Sequence, residues 1–135
     1  MKDHRTVLAG LFSAVVLAAP LFAHHSVANV FDTSKSVSMK GTITKVDWRN
    51  PHASIYLDVK DASGKITNWW IEMATLANLS KAGLDQNMID LNQTYSIEVF
   101  LSKDGSAKAV GINLIFPDSK SYDISDNYPM RPPAK

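Results

Sequence analysis

The chain has 135 residues, enough for one domain, with 14 basic and 13 acidic side chains, four histidines and no cysteine. A formal net charge of +1 argues against a ligand with a phosphate backbone, because such a ligand requires a basic surface. Without cysteine no disulfide can hold the fold together, so a hydrophobic core has to stabilise it.

The first 23 residues have the pattern of a secretory signal peptide. Lys2 and Arg5 precede a long apolar run that ends at Ala23. A positive start, an apolar middle and a small residue at the end are typical of a cleaved export signal. We therefore predict a signal over residues 1–23 and a periplasmic or secreted mature protein that begins at His24 and has no stable membrane insertion. An uncleaved membrane anchor is the alternative.

The rest of the chain divides into three parts. Residues 24–35 lack periodicity and predict an extended lead-in, whereas residues 36–116 alternate as strands do. Residues 117–135 are rich in Ser, Asp, Lys and Pro, and predict a flexible tail. Without the charged residues of the signal, 12 basic and 12 acidic residues remain, so nucleic acid is not an expected partner.

The first strand is predicted to be bent. Its apolar residues alternate from Val37 to Ile43, and the phase then shifts by one residue to Val46 and Trp48. Such a shift implies a bulge, and Gly41 allows a sharp bend nearby. Strongly bent first strands of this kind occur in small barrels.

Four further strands and one helix follow. Alternation predicts strands in ASIYLDVKD, ITNWWIEM, TYSIEVFLSKDG and AKAVGINLIF. In the last of these strands Val110, Ile112, Leu114 and Phe116 are predicted to face the core. Between the third and fourth strands the spacing becomes helical, with Thr75 as a cap and Gly83 as the end. This order predicts an all-β, five-stranded OB-fold-like barrel with a helix between strands 3 and 4. An open antiparallel sheet with one packed helix is the alternative.

Several motifs carry a resemblance to a known family. They are AHHS at the predicted cleavage point, KGTITKVDWRNPH, LDVKDASGKITNWWIEM, a leucine-bearing helix that ends at Gly83, and KDGS late in the chain. With these motifs the sequence resembles a family of small exported bacterial proteins classed only as a domain of unknown function. The resemblance covers roughly residues 23–116 and implies a compartment and a shape but no activity.

The histidines predict a metal site. Cleavage after Ala23 would give His24 a free α-amine beside its imidazole, and these two nitrogens can chelate one ion. An imidazole from another histidine would complete a three-nitrogen site, which suits Cu(II). His25 offers a competing mode through the amine, a deprotonated backbone amide and its own imidazole. The remaining candidate is His52, in a turn that borders the ligand face of OB-folds.

Copper, or another transition metal, is therefore the expected ligand of His24, His25 and His52. The lead-in is long enough to reach back to His52, since extended chain covers up to ~3.3–3.6 Å per residue. Zinc is possible, although three nitrogens without cysteine do not form a typical zinc motif. The alternative is that histidines at an exposed terminus are solvated and bind nothing. Glu72 and Asp47 are candidates for an additional oxygen ligand or a supporting partner.

Aromatic residues suggest a second candidate surface. OB-folds stack sugars or bases on such residues, and in a neutral exported protein a cell-envelope glycan or a protein is the expected ligand. The predicted face comprises Tyr56, Trp69, Trp70 and Glu72. Burial of the tryptophans in the barrel is the alternative. The sequence has no phosphate-binding loop, catalytic carboxylate pair or activated nucleophile, so binding is favoured over catalysis.

Overall fold

The computed structural model describes residues 27–126. Six strands, two short helices and one 3-10 turn account for its regular structure. In chain order they are α1 (Val27–Val30), β1 (Val37–Asp47), β2 (Ser54–Lys60), β3 (Ile66–Glu72), α2 (Leu76–Lys81), the turn Gln86–Met88, β4 (Thr94–Leu101), β5 (Lys108–Ile115) and β6 (Ser121–Asp123). Within residues 27–126, no helix is long and apolar enough to cross a membrane.

The first five strands close into a barrel. The sheet has the order β3-β2-β1-β4-β5-β6, and β3 also pairs with β5 in parallel, which closes the ring. The short helix α2 lies between β3 and β4 in the chain. This is the predicted OB-fold-like barrel, and the alternative of an open sheet is wrong because β3 and β5 are hydrogen-bonded.

β1 is the strand that both halves of the barrel share. It pairs with β4 up to Thr42 and with β2 from Thr42 onwards. The predicted bulge is confirmed, because the register with β2 shifts between Ile43 and Lys45. Gly41 lies at the crossover, where the carbonyl group of Asp58 in β2 leaves no room for a Cβ atom.

A second bulge changes which residues of β5 enter the core. Val99 pairs with Gly111 but Glu98 pairs with Asn113, so Ile112 is the extra residue. The prediction that Val110 and Ile112 face the core with Leu114 is therefore wrong. These two side chains form a separate cluster with two phenylalanines, which we call the second cluster: Phe31, Phe100, Val110 and Ile112. The main core contains the apolar faces of β1 to β5, including Ile43, Leu57, Ile71, Ile97 and Leu114.

Both ends of the described chain differ from the predicted lead-in and tail. Residues 27–30 form the helix α1, and Phe31 is buried in the second cluster and bridges Ser102. At the other end, β6 extends the sheet beyond β5, and Ile124 is fully buried in the main core. The predicted flexible tail therefore differs from the structure over residues 117–126, where strand pairing and burial order the chain.

The hairpin turn between β4 and β5 leads to a prediction about pH. The Asp104 carboxylate accepts hydrogen bonds from the Ser106 hydroxyl, the Ser106 amide and the Ser102 hydroxyl, which lower the pKa of Asp104 to about 2. A carboxyl group whose pKa falls on folding stabilises the native state above its unfolded pKa, and this contribution is lost as the pH falls.

We therefore expect Asp104→Asn to be less stable than the parent protein at pH 7. The difference should shrink as the pH falls from about 4 towards 2, the interval between the unfolded and folded pKa values. Urea denaturation across this pH range measures the difference in the free energy of unfolding between the variant and the parent protein. Asp118→Asn, at another exposed turn, is the control. A difference that does not change with pH would contradict the prediction.

Candidate functional site

His52 lies between two carboxylates contributed by distant parts of the chain. Its Nε2 atom is 2.7 Å from Oδ2 of Asp126, and its Nδ1 atom is 3.6 Å from Oε1 of Glu72. An ionised carboxylate can only accept a hydrogen bond, so Nε2 of His52 donates to Asp126. In the neutral imidazole the lone pair then lies on Nδ1, on the side of Glu72.

Asp126 is itself held by the start of α2. Its Oδ1 atom accepts hydrogen bonds from the Thr75 amide at 3.0 Å and from Nδ2 of Asn78 at 2.8 Å. Thr75 is the predicted cap of α2, and its hydroxyl accepts from the Asn78 amide at 3.3 Å. Asp126 therefore connects His52 to the helix that the sequence predicted, and it fixes the orientation of the imidazole ring.

Glu72 reaches His52 because β2 and β3 are paired. Glu72 is in register with Ser54, two residues after His52 in the chain. Burial, and secondarily the nearby Asp126 carboxylate, raise the pKa of Glu72, whereas His52 opposes this shift. The side chains of His52 and Glu72 are 31% and 29% exposed, so both are partly accessible to solvent.

The described residues do not by themselves provide a complete metal site. Over residues 27–126, no three His, Cys, Asp or Glu side chains are arranged to hold an ion. His24 and His25, the other predicted ligands, lie outside the described residues. Asp47, a candidate oxygen ligand, instead forms an ion pair with Arg49.

The described chain begins against a cluster on β4 and β5, and β5 pairs with the strand that carries Glu72. Val27 packs against the second cluster, which contains Val110, and Val110 is in register with Glu72 across the parallel β3–β5 pair. Adjacent strands are about 4.8 Å apart. The N-terminal end of the described chain and the Glu72 side chain are therefore on the same outer face, since Ile71 and Ala109, the preceding residues, face the core.

The predicted aromatic face is divided between the two sides of the sheet. Tyr56 and Trp70 form a cross-strand pair, and Nζ of Lys45 lies 5.0 Å from the centre of the Tyr56 ring. Trp69 instead packs against the main core, as does Trp48. Burial of tryptophan in the barrel is thus the correct interpretation for these two, whereas Tyr56, Trp70 and Glu72 share the outer face.

Asp126 is the site residue that the sequence analysis missed. It follows β6 in a segment that composition alone predicts to be a tail. The signal that could have identified it is Ile124, an apolar residue in an otherwise polar stretch, which indicates that the chain returns to the core.

The fold and this cluster define an OB-fold-like barrel protein with a histidine held between two carboxylates. The chain belongs to a family described as Family of unknown function (DUF6152), whose model matches residues 13–112. The predicted resemblance to an uncharacterised family is therefore confirmed. The matched range includes His52 and Glu72 and ends before Asp126. No curated protein and no solved structure matches the chain.

Proposed function

We propose that this is an exported, periplasmic or secreted binding protein that takes Cu(II), or another late transition metal ion, through His52 and the mature N-terminal residue His24. His25 competes with His52 for the ion through the alternative amine–amide–imidazole mode. Binding, rather than turnover, is the proposed role. The proposal assumes removal of residues 1–23, which frees the α-amine of His24 as a donor.

The observation that carries the proposal is the orientation of His52. Metal-binding histidines commonly donate their second ring N–H to a carboxylate, which fixes the ring and makes the ligating nitrogen more basic. Asp126 occupies that position on Nε2 of His52, and Nδ1 faces the partly exposed side chain of Glu72. Imidazole nitrogen is a preferred donor for copper and zinc.

The course of the lead-in supports the participation of His24. Two residues separate His24 from Val27, and three residue steps of chain span at most ~10 Å. Val27 packs against the second cluster, and one strand spacing separates Val110 of that cluster from Glu72. The proposal accordingly places the His24 nitrogens beside His52 and Glu72.

The test is a Cu(II) titration of protein exported and processed in a bacterial host, with intact mass used to verify that it begins at His24. We expect one ion per chain and an electron paramagnetic resonance spectrum with nitrogen ligands. His52→Ala should weaken binding by at least about 10-fold, because even loss of a residue that only supports a ligand typically costs 10–100-fold. A glycine placed before His24 should change the copper spectrum, because the α-amine then no longer belongs to His24 and the terminus can chelate only through amine, backbone amide and imidazole nitrogens.

Two outcomes would contradict the proposal. Absence of stoichiometric binding would exclude a copper site altogether. Binding that His52→Ala leaves unchanged would mean that the two terminal histidines chelate copper without the barrel.

A second candidate function rests on the pairing of Tyr56 with Trp70. Their aromatic side chains are adjacent on the outer face, with the hydrogen-bonded pair Asp58 and Asn68 beside them. Aromatic rings next to hydrogen-bonding groups suit a cell-envelope glycan or an extended protein segment. This function needs neither His52 nor a free amine on His24, so His52→Ala and the protein with a glycine before His24 should both retain it.

A further inference from the structure

We infer that Glu72 is a ligand to the same ion, so that the site combines nitrogen donors with one carboxylate oxygen. This inference rests on the proposed function and specifies the chemistry of the site. Such a site is expected to bind Cu(II) or Zn(II) more tightly than Cu(I). The first two ions accept both imidazole and carboxylate, whereas Cu(I) prefers soft sulfur donors.

The distance between Glu72 and His52 is the first argument. Their Oε1 and Nδ1 atoms are 3.6 Å apart, which is beyond the range of an N–H···O hydrogen bond. Two donors bound at ~2.0–2.2 Å to one ion lie ~3.4 Å apart at a tetrahedral angle and ~2.9 Å apart at a right angle. A movement of less than about 1 Å in the carboxylate would therefore bring both atoms to one ion.

The direction of the imidazole is the second argument. Nε2 of His52 donates a hydrogen bond to Asp126. Two further hydrogen bonds, from Thr75 and Asn78, hold the Asp126 carboxylate in place. Turning the ring to present Nε2 would break this chain of contacts. The nitrogen that remains available is thus the one that faces Glu72.

The surroundings of Glu72 are the third argument. Among residues 27–126, His52 is the only basic side chain within 4.0 Å of its carboxylate, and Asp126 adds a second negative charge nearby. A partly buried carboxylate in this setting gains more from a bound cation than an exposed one does, because burial has removed part of its hydration. Glu72 is also in register with Val110 of the second cluster, on the side where the lead-in enters.

The experiment compares Glu72→Gln with Glu98→Gln in protein processed to His24. Glu98 lies on β4 and accepts a hydrogen bond from Nδ2 of Asn113, which a glutamine oxygen can also accept. We expect Glu72→Gln to weaken Cu(II) binding by about 10–100-fold and to change the copper spectrum, whereas Glu98→Gln should change neither. Glu72→Asp should recover part of the affinity.

The salt dependence separates a ligand from a nearby charge. An electrostatic effect without coordination weakens as ionic strength rises, because the Debye length falls to about 3 Å at 1 M. If Glu72 is a ligand, the loss caused by Glu72→Gln persists at 1 M salt and the spectrum stays altered. An unchanged affinity, or a loss that disappears in salt without a spectral change, would overturn the inference. A result in which His52→Ala has no effect would instead overturn the proposed function.

Discussion

Replacing Gly41 with alanine is expected to lower the free energy of unfolding by about 3 kcal/mol, the upper part of the usual range for overpacking. The reason is backbone geometry. β1 passes from its pairing with β4 to its pairing with β2 at this residue, and an added Cβ would overlap the carbonyl oxygen of Asp58 and lie 3.0 Å from its carbon. A backbone carbonyl in a paired strand cannot rotate away, so β1 and β2 would have to separate.

Urea denaturation of Gly41→Ala measures this loss. The matched control is Ser38→Ala, since Ser38 is exposed on the same strand and the substitution should change stability by less than about 0.5 kcal/mol. Gly111→Ala is an informative comparison, because its Cβ would overlap the end of the Ile124 side chain, which can move more easily than backbone. A loss below 1 kcal/mol for Gly41→Ala would show that the strand crossing is not tightly constrained.

Replacing Ile124 with alanine is expected to lower the free energy of unfolding by about 2–5 kcal/mol. Ile124 is fully buried in the main core, and its backbone bonds to Ile112 and to Ala74 on either side. Its side chain packs against Gly111, where the missing Cβ makes room for it. The truncated side chain would leave a cavity that these hydrogen-bonded strands can only partly close.

The same substitution should loosen the His52 site, because Asp126 follows Ile124 by two residues. Hydrogen exchange can follow this at the Ala74 amide, which donates to the Ile124 carbonyl at 2.7 Å and should exchange faster in the variant. Ser121→Ala, at an exposed position of β6, is the control. Stability and exchange that match the parent protein would mean that the segment after β5 does not contribute to the barrel.

Much of the barrel was predictable because its signals are local. Period-two alternation identifies β1 to β5, Thr75 and Gly83 mark the helix, and the phase shift after Ile43 locates the first bulge. The second bulge was missed. Val110, Ile112 and Leu114 alternate without interruption in the sequence, and only the pairing of β5 with β4 shows that Ile112 is an extra residue.

The candidate site was predictable in part. His52 and Glu72 could be chosen from residue type and position, and the structure brings them together. Trp69 and Asp47 were also chosen, but the first faces the core and the second pairs with Arg49. Strand alternation predicts that Trp69 and Trp70 lie on opposite faces of β3. Because both faces of this strand carry large residues, alternation alone does not identify the outer face.

The sequence by itself determined the order of strands and helix, the first bulge and two members of the histidine–carboxylate cluster, since each depends on residues close together in the chain. Only the tertiary structure decided that Asp126 orients His52, because 74 residues separate them. That contact requires β6 to pair with β5 and Ile124 to enter the core. Docking of the segment after β5 onto the barrel, and not any local preference, therefore decides which ring nitrogen of His52 is available.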